Sequence, residues 1–184
     1  MRIPTTALAA SLLLATPSLL AQSPCGRRNA LVADLGLHVI ALGYARTFGC
    51  YVSVQASAGL YVPWTVSRDV FGLAEREHPD NEVAGVMVRV RPFIHPFGHA
   101  PGGLWISPFV QGGPVGSPHA GGGLKGLAFA LGLSVGWNFL LGERWLIGLG
   151  VGAQFHLATF DGSDRYPGFG GFWPTVDIHA AWRF

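Results

Sequence analysis

Charge is what this 184-residue sequence has least of: 12 Lys+Arg and 10 Asp+Glu, or 12% of the chain, beside 49% hydrophobic residues. A soluble domain carries roughly twice that share of charge, so an ordinary water-soluble fold is excluded. The net charge of +2 is too small to point to nucleic acid. Beyond the first residues there is no apolar run of the roughly 18 that a spanning helix needs, which excludes a helical membrane protein. Cysteine is scarce: Cys25 and Cys50 are alone and have no metal-type spacing, so neither a metal nor a cofactor is expected.

What the chain does have is glycine, 27 residues of it, and 12% aromatics. Both are distributed in period-2 segments. The last one is the clearest. From Pro174 to the terminus, Val176, Ile178, Ala180, Trp182 and Phe184 share one face, and Thr175, Asp177, His179, Ala181 and Arg183 share the other. Apolar outside and polar inside is the pattern of a transmembrane β-barrel. A terminal aromatic strand closes such a barrel, and Trp182 and Phe184 are expected to form the signal read by the barrel insertion machinery.

Other segments alternate in the same way. They are 51–62, 83–93, 103–111, 124–140 and 143/144–158, with inward Gln55, Arg89, Arg91, Gln111, Asn138, Gln154 and His156. Their lengths suit tilted spans of roughly 9–11 residues or slightly more. Tight connections at 47–50 and 141–143 and a moderate one at 94–102 alternate with longer ones at 63–82, 112–123 and 159–172. Short periplasmic turns and long outer loops have this rhythm. The stretch 30–47 is one long strand or two short ones, 30–37 and 40–47. Bacterial barrels have even strand numbers, which favours two, and a total of eight. Two aromatic girdles are expected. Phe48, Tyr51, Phe93, Trp105, Phe139, Trp145, Trp182 and Phe184 fall near the periplasmic rim, and Tyr61, Trp64, Phe155, Phe160, Phe172 and Trp173 near the outer one.

The N-terminus has the layout of a secretory signal. Arg2 precedes an apolar stretch from Ala7 to Leu20, followed by small residues at Ala21 and Ser23. Residues 1–22 are therefore expected to be removed, leaving 23–184 as one barrel domain. Export places the cysteines in an oxidising compartment, and a Cys25–Cys50 disulfide is expected if 30–47 goes up and comes back.

Several pieces carry a resemblance. They are Asn29 with its apolar run, Leu42-Gly43-Tyr44-Ala45-Arg46, Tyr61-Val62-Pro63-Trp64, Val88-Arg89-Val90-Arg91-Pro92-Phe93, and Gly142-Glu143-Arg144-Trp145 with the Gly-rich strand after it. On these the chain resembles small eight-stranded outer-membrane barrels of the broad OmpA-like group, and more narrowly an uncharacterised family of exported barrels. The resemblance implies an all-β, up-and-down antiparallel barrel in the bacterial outer membrane. It implies no reaction. Such proteins often carry an acidic residue where Ala45 stands here.

The lumen is where polar chemistry collects. Asp34, Arg89, Arg91, Gln154, Asp177, His179 and Arg183 form the expected inward cluster, with Gln154 near Asp177 and Gly148 near Arg183 if strands seven and eight pair around 159–172. In a barrel just filled by side chains such charges have to be paired, so a salt-bridged plug is the leading expectation. A lipid A-modifying enzyme would need a hydroxyl, a histidine and a carboxylate at the outer interface. His156, Thr159 and Asp161 are the nearest set. His95 and His99 lie within one turn and could face a metal, though two solvated turn histidines are favoured. The loop 68–82, with Arg68, Asp69, Glu75, Arg76, Glu77, Asp80 and Glu82, could meet lipopolysaccharide through divalent cations; a solvated outer loop is the default. The expected function is a structural or surface-interaction role without catalysis. A lipid A-modifying enzyme and a narrow channel are the alternatives.

Overall fold

A computed structural model describes residues 28–36, 39–61, 84–117, 124–160 and 171–184. They form eight strands: β1 (Asn29–Gly36), β2 (Val39–Phe48), β3 (Val52–Tyr61), β4 (Ala84–Ile94), β5 (Gly103–Ser117), β6 (Leu124–Leu141), β7 (Trp145–Phe160) and β8 (Gly171–Arg183). Each pairs antiparallel with the next, and β1 pairs with β8, so the sheet closes on itself. The stretch 30–47 is thus a hairpin, with Asn29 opposite Arg46 and Gly36 opposite Val39. The residues at its tip, 37–38, lie outside the described ones, as do the expected signal sequence and the loop 68–82.

The stagger of the strands sets the width of the barrel. Paired residues lead once around the wall from Ile147 through Ala180, Ala33, Leu42, Ala58, Val88, Gly112 and Phe129. They return to β7 at Leu157, 10 residues further on. With a rise of about 3.3 Å and a strand spacing of about 4.8 Å, that offset tilts the strands by about 40°. Eight strands at this tilt enclose a lumen that side chains can just fill.

Alternation decides what faces each way. Leu42, Val88, Leu131, Leu133 and Val151 stand exposed on the outside, while Asp34, Gln55, Arg89, Arg91 and Asp177 are buried inside. An outer wall of this composition would be unstable in water and is matched to hydrocarbon. Gly49 and Gly142, both at positive φ, close the tight turns β2–β3 and β6–β7. With the segment 95–102 between β4 and β5, these turns share one rim with the start of β1 and with Phe184.

The strands differ from expectation at their outer ends. β5 continues past Gln111 to Ser117 because it stays hydrogen-bonded to β6 as far as Leu124. β7 and β8 extend to Phe160 and back to Gly171. β7 follows β6 to Phe160 but pairs with β8 only as far as His156, opposite Gly171, so the β7–β8 register lies four residues from the expected one. Gln154 pairs with Trp173, whereas Gly150 stands opposite Asp177 and Gly148 opposite His179. The pairing of outward Phe155 with Phe172, ring centres 5.1 Å apart, belongs to the added length. The girdles are also corrected. Tyr61, Phe93 and Trp105 are buried inside the barrel and face no lipid.

Candidate functional site

Strand β4 builds the centre of the lumen. Its parity turns Met87, Arg89, Arg91 and Phe93 inward in succession. β8, on the opposite wall, turns Asp177 inward, and β1 turns Asp34 inward. Arg91 donates to Asp177 through Nη1 at 3.0 Å and Nη2 at 3.5 Å, and through Nε to Ser107 Oγ at 3.0 Å. Arg89 Nη1 donates to Asp34 at 3.2 Å and to Asp177 at 3.5 Å, while its Nε donates to Gln111 at 2.7 Å. Gln55 Nε2 adds a bond to Asp34 at 3.0 Å.

Two carboxylates and two guanidiniums therefore meet in one layer, and their charges cancel. All four are essentially inaccessible to water. Dehydrating four ions is expensive, and only mutual pairing with good hydrogen bonds offsets it. Aromatic faces complete the cage. The guanidinium carbon of Arg91 lies 4.4 Å from the Phe93 ring centre and 5.3 Å from that of Trp105, and that of Arg89 lies 4.9 Å from Phe109. These are cation–π distances.

Neutral polar layers continue the filling in both directions. Toward the outer end, the Tyr61 hydroxyl and His156 Nδ1 are 2.8 Å apart. Gln111 Nε2 donates to Tyr61 and to Gln154 Oε1 at 3.5 and 3.4 Å. Val39, Ala41, Met87, Val115 and Ala128 pack with Tyr61 as an apolar collar. Toward the rim that holds the tight turns and Phe184, His179 Nε2 meets Asn138 Oδ1 at 3.0 Å, and Asn138 Nδ2 donates to the Pro101 carbonyl at 2.7 Å. Glycines on β6 and β7 make the space. A Cβ on Gly132 would strike the Phe109 ring, and one on Gly150 would strike Trp105. The space left among Ser53, Gln55, Asn138, His179 and Arg183 is about 30 Å³, enough for roughly two waters.

The expected cluster is thus largely assembled, with different partners. Asp34, Arg89, Arg91 and Asp177 form one network. Gln154 joins the outer layer through Gln111 rather than meeting Asp177. His179 sits beside Asn138, and Arg183 lies buried at the lower rim, where it lines that small space. Tyr61, Phe93 and Trp105 are the members that sequence reasoning missed as lumen residues, whereas Phe109 shares the expected face of Ser107 and Gln111. Parity was the available signal, since position 93 shares its face with Arg89 and Arg91, and position 105 with Ser107.

Other candidates separate. His156 is buried in the lumen while Thr159 stands exposed, because positions three apart on a strand face opposite ways. Asp161 lies outside the described residues. His95 is buried and His99 is exposed, so the two do not converge. Burial holds the His95 imidazole below the ordinary histidine value, and the backbone of Gly102 and Leu104 pulls the other way. Outside the barrel, the Trp182 and Phe184 rings lie 5.3 Å apart, and the Phe184 N–H donates to the Asn29 carbonyl. Cys50 carries no free thiol; Cys25 lies outside the described residues.

No protein-family model matches the chain, and no curated protein matches it. Among solved structures, Acinetobacter baumannii CarO is similar at 12% identity with a TM-score of 0.47, covering 86% of this chain and 98% of that one. Acinetobacter baumannii CarO2 is similar at 10% identity with a TM-score of 0.45, covering 86% and 99%.

Proposed function

We propose that this chain is an integral barrel of a bacterial outer membrane, exported through a cleaved N-terminal signal, whose lumen is a sealed structural plug. Its role is structural or a surface interaction made by the outer loops, without catalysis. The observation that carries this reading is the charge-balanced layer of Asp34, Arg89, Arg91 and Asp177, spanning the lumen between opposite walls. Paired charges packed on aromatic rings fill the lumen at this level. The apolar exterior supports residence in lipid. On this reading the terminal aromatics Trp182 and Phe184 are what the insertion machinery recognises, and lipopolysaccharide surrounds the outer rim.

The test pairs two measurements on the full chain. Purified protein in planar bilayers is expected to give no discrete conductance steps. Lipid A from expressing cells is expected to keep its mass. Steady single-channel steps would replace the plug by a pore, and a new lipid A species absent from an Arg91→Ala/Asp177→Ala strain would replace it by an enzyme.

A further inference from the structure

The periplasmic ends of β5 and β6 do not match. β5 begins at Gly103, opposite Asn138. β6 runs on through Phe139, Leu140 and Leu141, which pair with Ile147, Leu146 and Trp145 of β7 and have no partner in β5. The segment 95–102 that leads into β5 is held at two points. The Ala100 N–H donates to the Cys50 carbonyl at 2.9 Å, and Asn138 holds the Pro101 carbonyl from inside the lumen. The chain passes close to the overrun of β6 at Gly102, where an added Cβ would meet Leu140, and a groove of about 480 Å³ lies beside that contact. Phe97, His99, Leu104, Trp137, Leu140 and Leu141 line it.

Here the alternation of the barrel lapses. Phe139, Leu140 and Leu141 are consecutive yet 48%, 46% and 53% exposed, and Phe97 across the groove is 69% exposed. Consecutive exposed apolar residues flanking a concave surface mark a place that something apolar fills. The upper end of the groove runs directly into the outward column Leu133, Val135 and Trp137, so it opens onto the membrane. The lower end reaches the water side. His99 stands exposed there on the 95–102 segment, and Arg144 is exposed on the turn that follows Leu141. A narrow apolar trough with cationic and N–H donor groups at its wet end fits a chain with an anionic head. It does not fit a folded partner, for which a trough of this size has too little area.

We propose that this groove binds one glycerophospholipid of the periplasmic leaflet, with an acyl chain along Trp137 and Leu140 and the phosphate at Arg144 and His99. The inference rests on the outer-membrane reading above. It goes further by assigning a defined lipid site where the barrel wall would otherwise contact only exchanging lipid. The overrun of β6 creates the site, because it supplies apolar side chains below the point where the sheet has lost its β5 neighbour.

The full chain is purified in mild detergent, titrated with palmitoyl-oleoyl-phosphatidylethanolamine and examined by native mass spectrometry. One lipid is expected to remain bound under conditions that strip the rest. Phe97→Ser/Leu140→Ser is expected to lower that retention at least tenfold, while Leu149→Ser, a lipid-facing change outside the groove, leaves it unaltered. Heat-shifted migration on gels reports whether each variant is folded. Should the double variant fail to fold, Arg144→Ala on the exposed turn is expected to lower retention several-fold. Equal retention by the folded groove variants and the control overturns the site, as does the absence of any retained lipid in the wild type. A photo-crosslinker at position 97 that captures polypeptide instead of lipid also overturns it. Membrane fractionation of the same cells keeps the two readings apart: protein absent from the outer membrane fails the location, whereas embedded protein without retained lipid fails this site alone.

Discussion

Arg91 of β4 reaches Asp177 of β8 at 3.0 Å, although the two strands lie on opposite walls of the barrel. The bond crosses the full lumen and ties together two strands that share no backbone hydrogen bonds. Arg89, two residues earlier, divides its Nη1 between Asp177 at 3.5 Å and Asp34 at 3.2 Å. The layer works as a cross-brace, and it orders the variants by severity.

Asp177→Ala removes the only carboxylate within ion-pair distance of Arg91 among the described residues and one of the two that serve Arg89. Stranding a buried charge typically costs about 3–5 kcal/mol. Asp34→Ala leaves Arg89 with Asp177 and is expected to cost less. Lys125→Ala, on the exposed face, should stay within about 0.5 kcal/mol. Urea unfolding of the three variants in lipid vesicles checks the order. Equal midpoints for Asp177→Ala and Lys125→Ala would mean that water, not pairing, solvates the layer.

The glycines of β6 are matched to specific rings. The three atoms nearest to a Cβ at position 132 would all belong to the Phe109 ring. Gly132→Ala is therefore expected to destabilise by about 1–3 kcal/mol through overpacking. Phe109→Leu in the same chain should recover a good part of that loss, because the colliding ring is gone. A double-mutant cycle measures it, and strict additivity of the two changes would show that the backbone, rather than the ring, resists the methyl group.

The buried His95 is expected to make the turn between β4 and β5 sensitive to acid. Its folded pKa lies below the ordinary value, chiefly because burial disfavours the imidazolium. The opened turn then binds the proton more readily than the closed one. The contribution is complete above the unfolded value of about 6.5 and is lost as pH falls through that value toward the folded pKa. Between about pH 7.5 and pH 5 the wild type should lose more thermal stability than His95→Gln. Parallel pH profiles for the two proteins would count against the assignment.

Phe184 docks the end of the chain onto its beginning. Its N–H donates to the Asn29 carbonyl at 2.9 Å, and its ring lies against Trp182. Deleting Phe184 is expected to lower the yield of heat-modifiable protein in the membrane fraction, while Tyr51→Ala at the same rim should leave it close to wild type. Full assembly of the truncated chain would remove the role given to the terminal aromatics.

The start of β1 and the end of β2 share one rim, where Asn29 lies opposite Arg46 and which the proposed topology puts in the periplasm. A bond between Cys25 and Cys50 is then expected in the exported protein. Cys25→Ser should leave Cys50 reactive to a thiol reagent in permeabilised cells and unreactive in intact ones. Labelling of Cys50 from outside intact cells would invert the topology.

Much of this protein was legible from local pattern. Which face of each strand looks inward follows from period-2 alternation, a property of the extended backbone that needs no neighbour. Val88, Arg89, Val90 and Arg91 point where their order demands, and so do Asp34 and Asp177. The even strand number selected the hairpin within 30–47. Register was not legible, because it depends on the 10-residue stagger of the closed wall and on where β8 starts against β7, at Gly171 opposite His156. That is why Gly150, not Gln154, stands opposite Asp177. The aromatic rings misled for a related reason. A tryptophan near a rim fits a lipid interface by type, yet Trp105 points inward by parity, into room that only Gly136 and Gly150 on two other strands provide. Alternation is decided within a strand. Partnership across the lumen is decided by closure, because only the closed, tilted barrel brings Arg91 and Asp177, 86 residues apart in sequence, to within 3.0 Å.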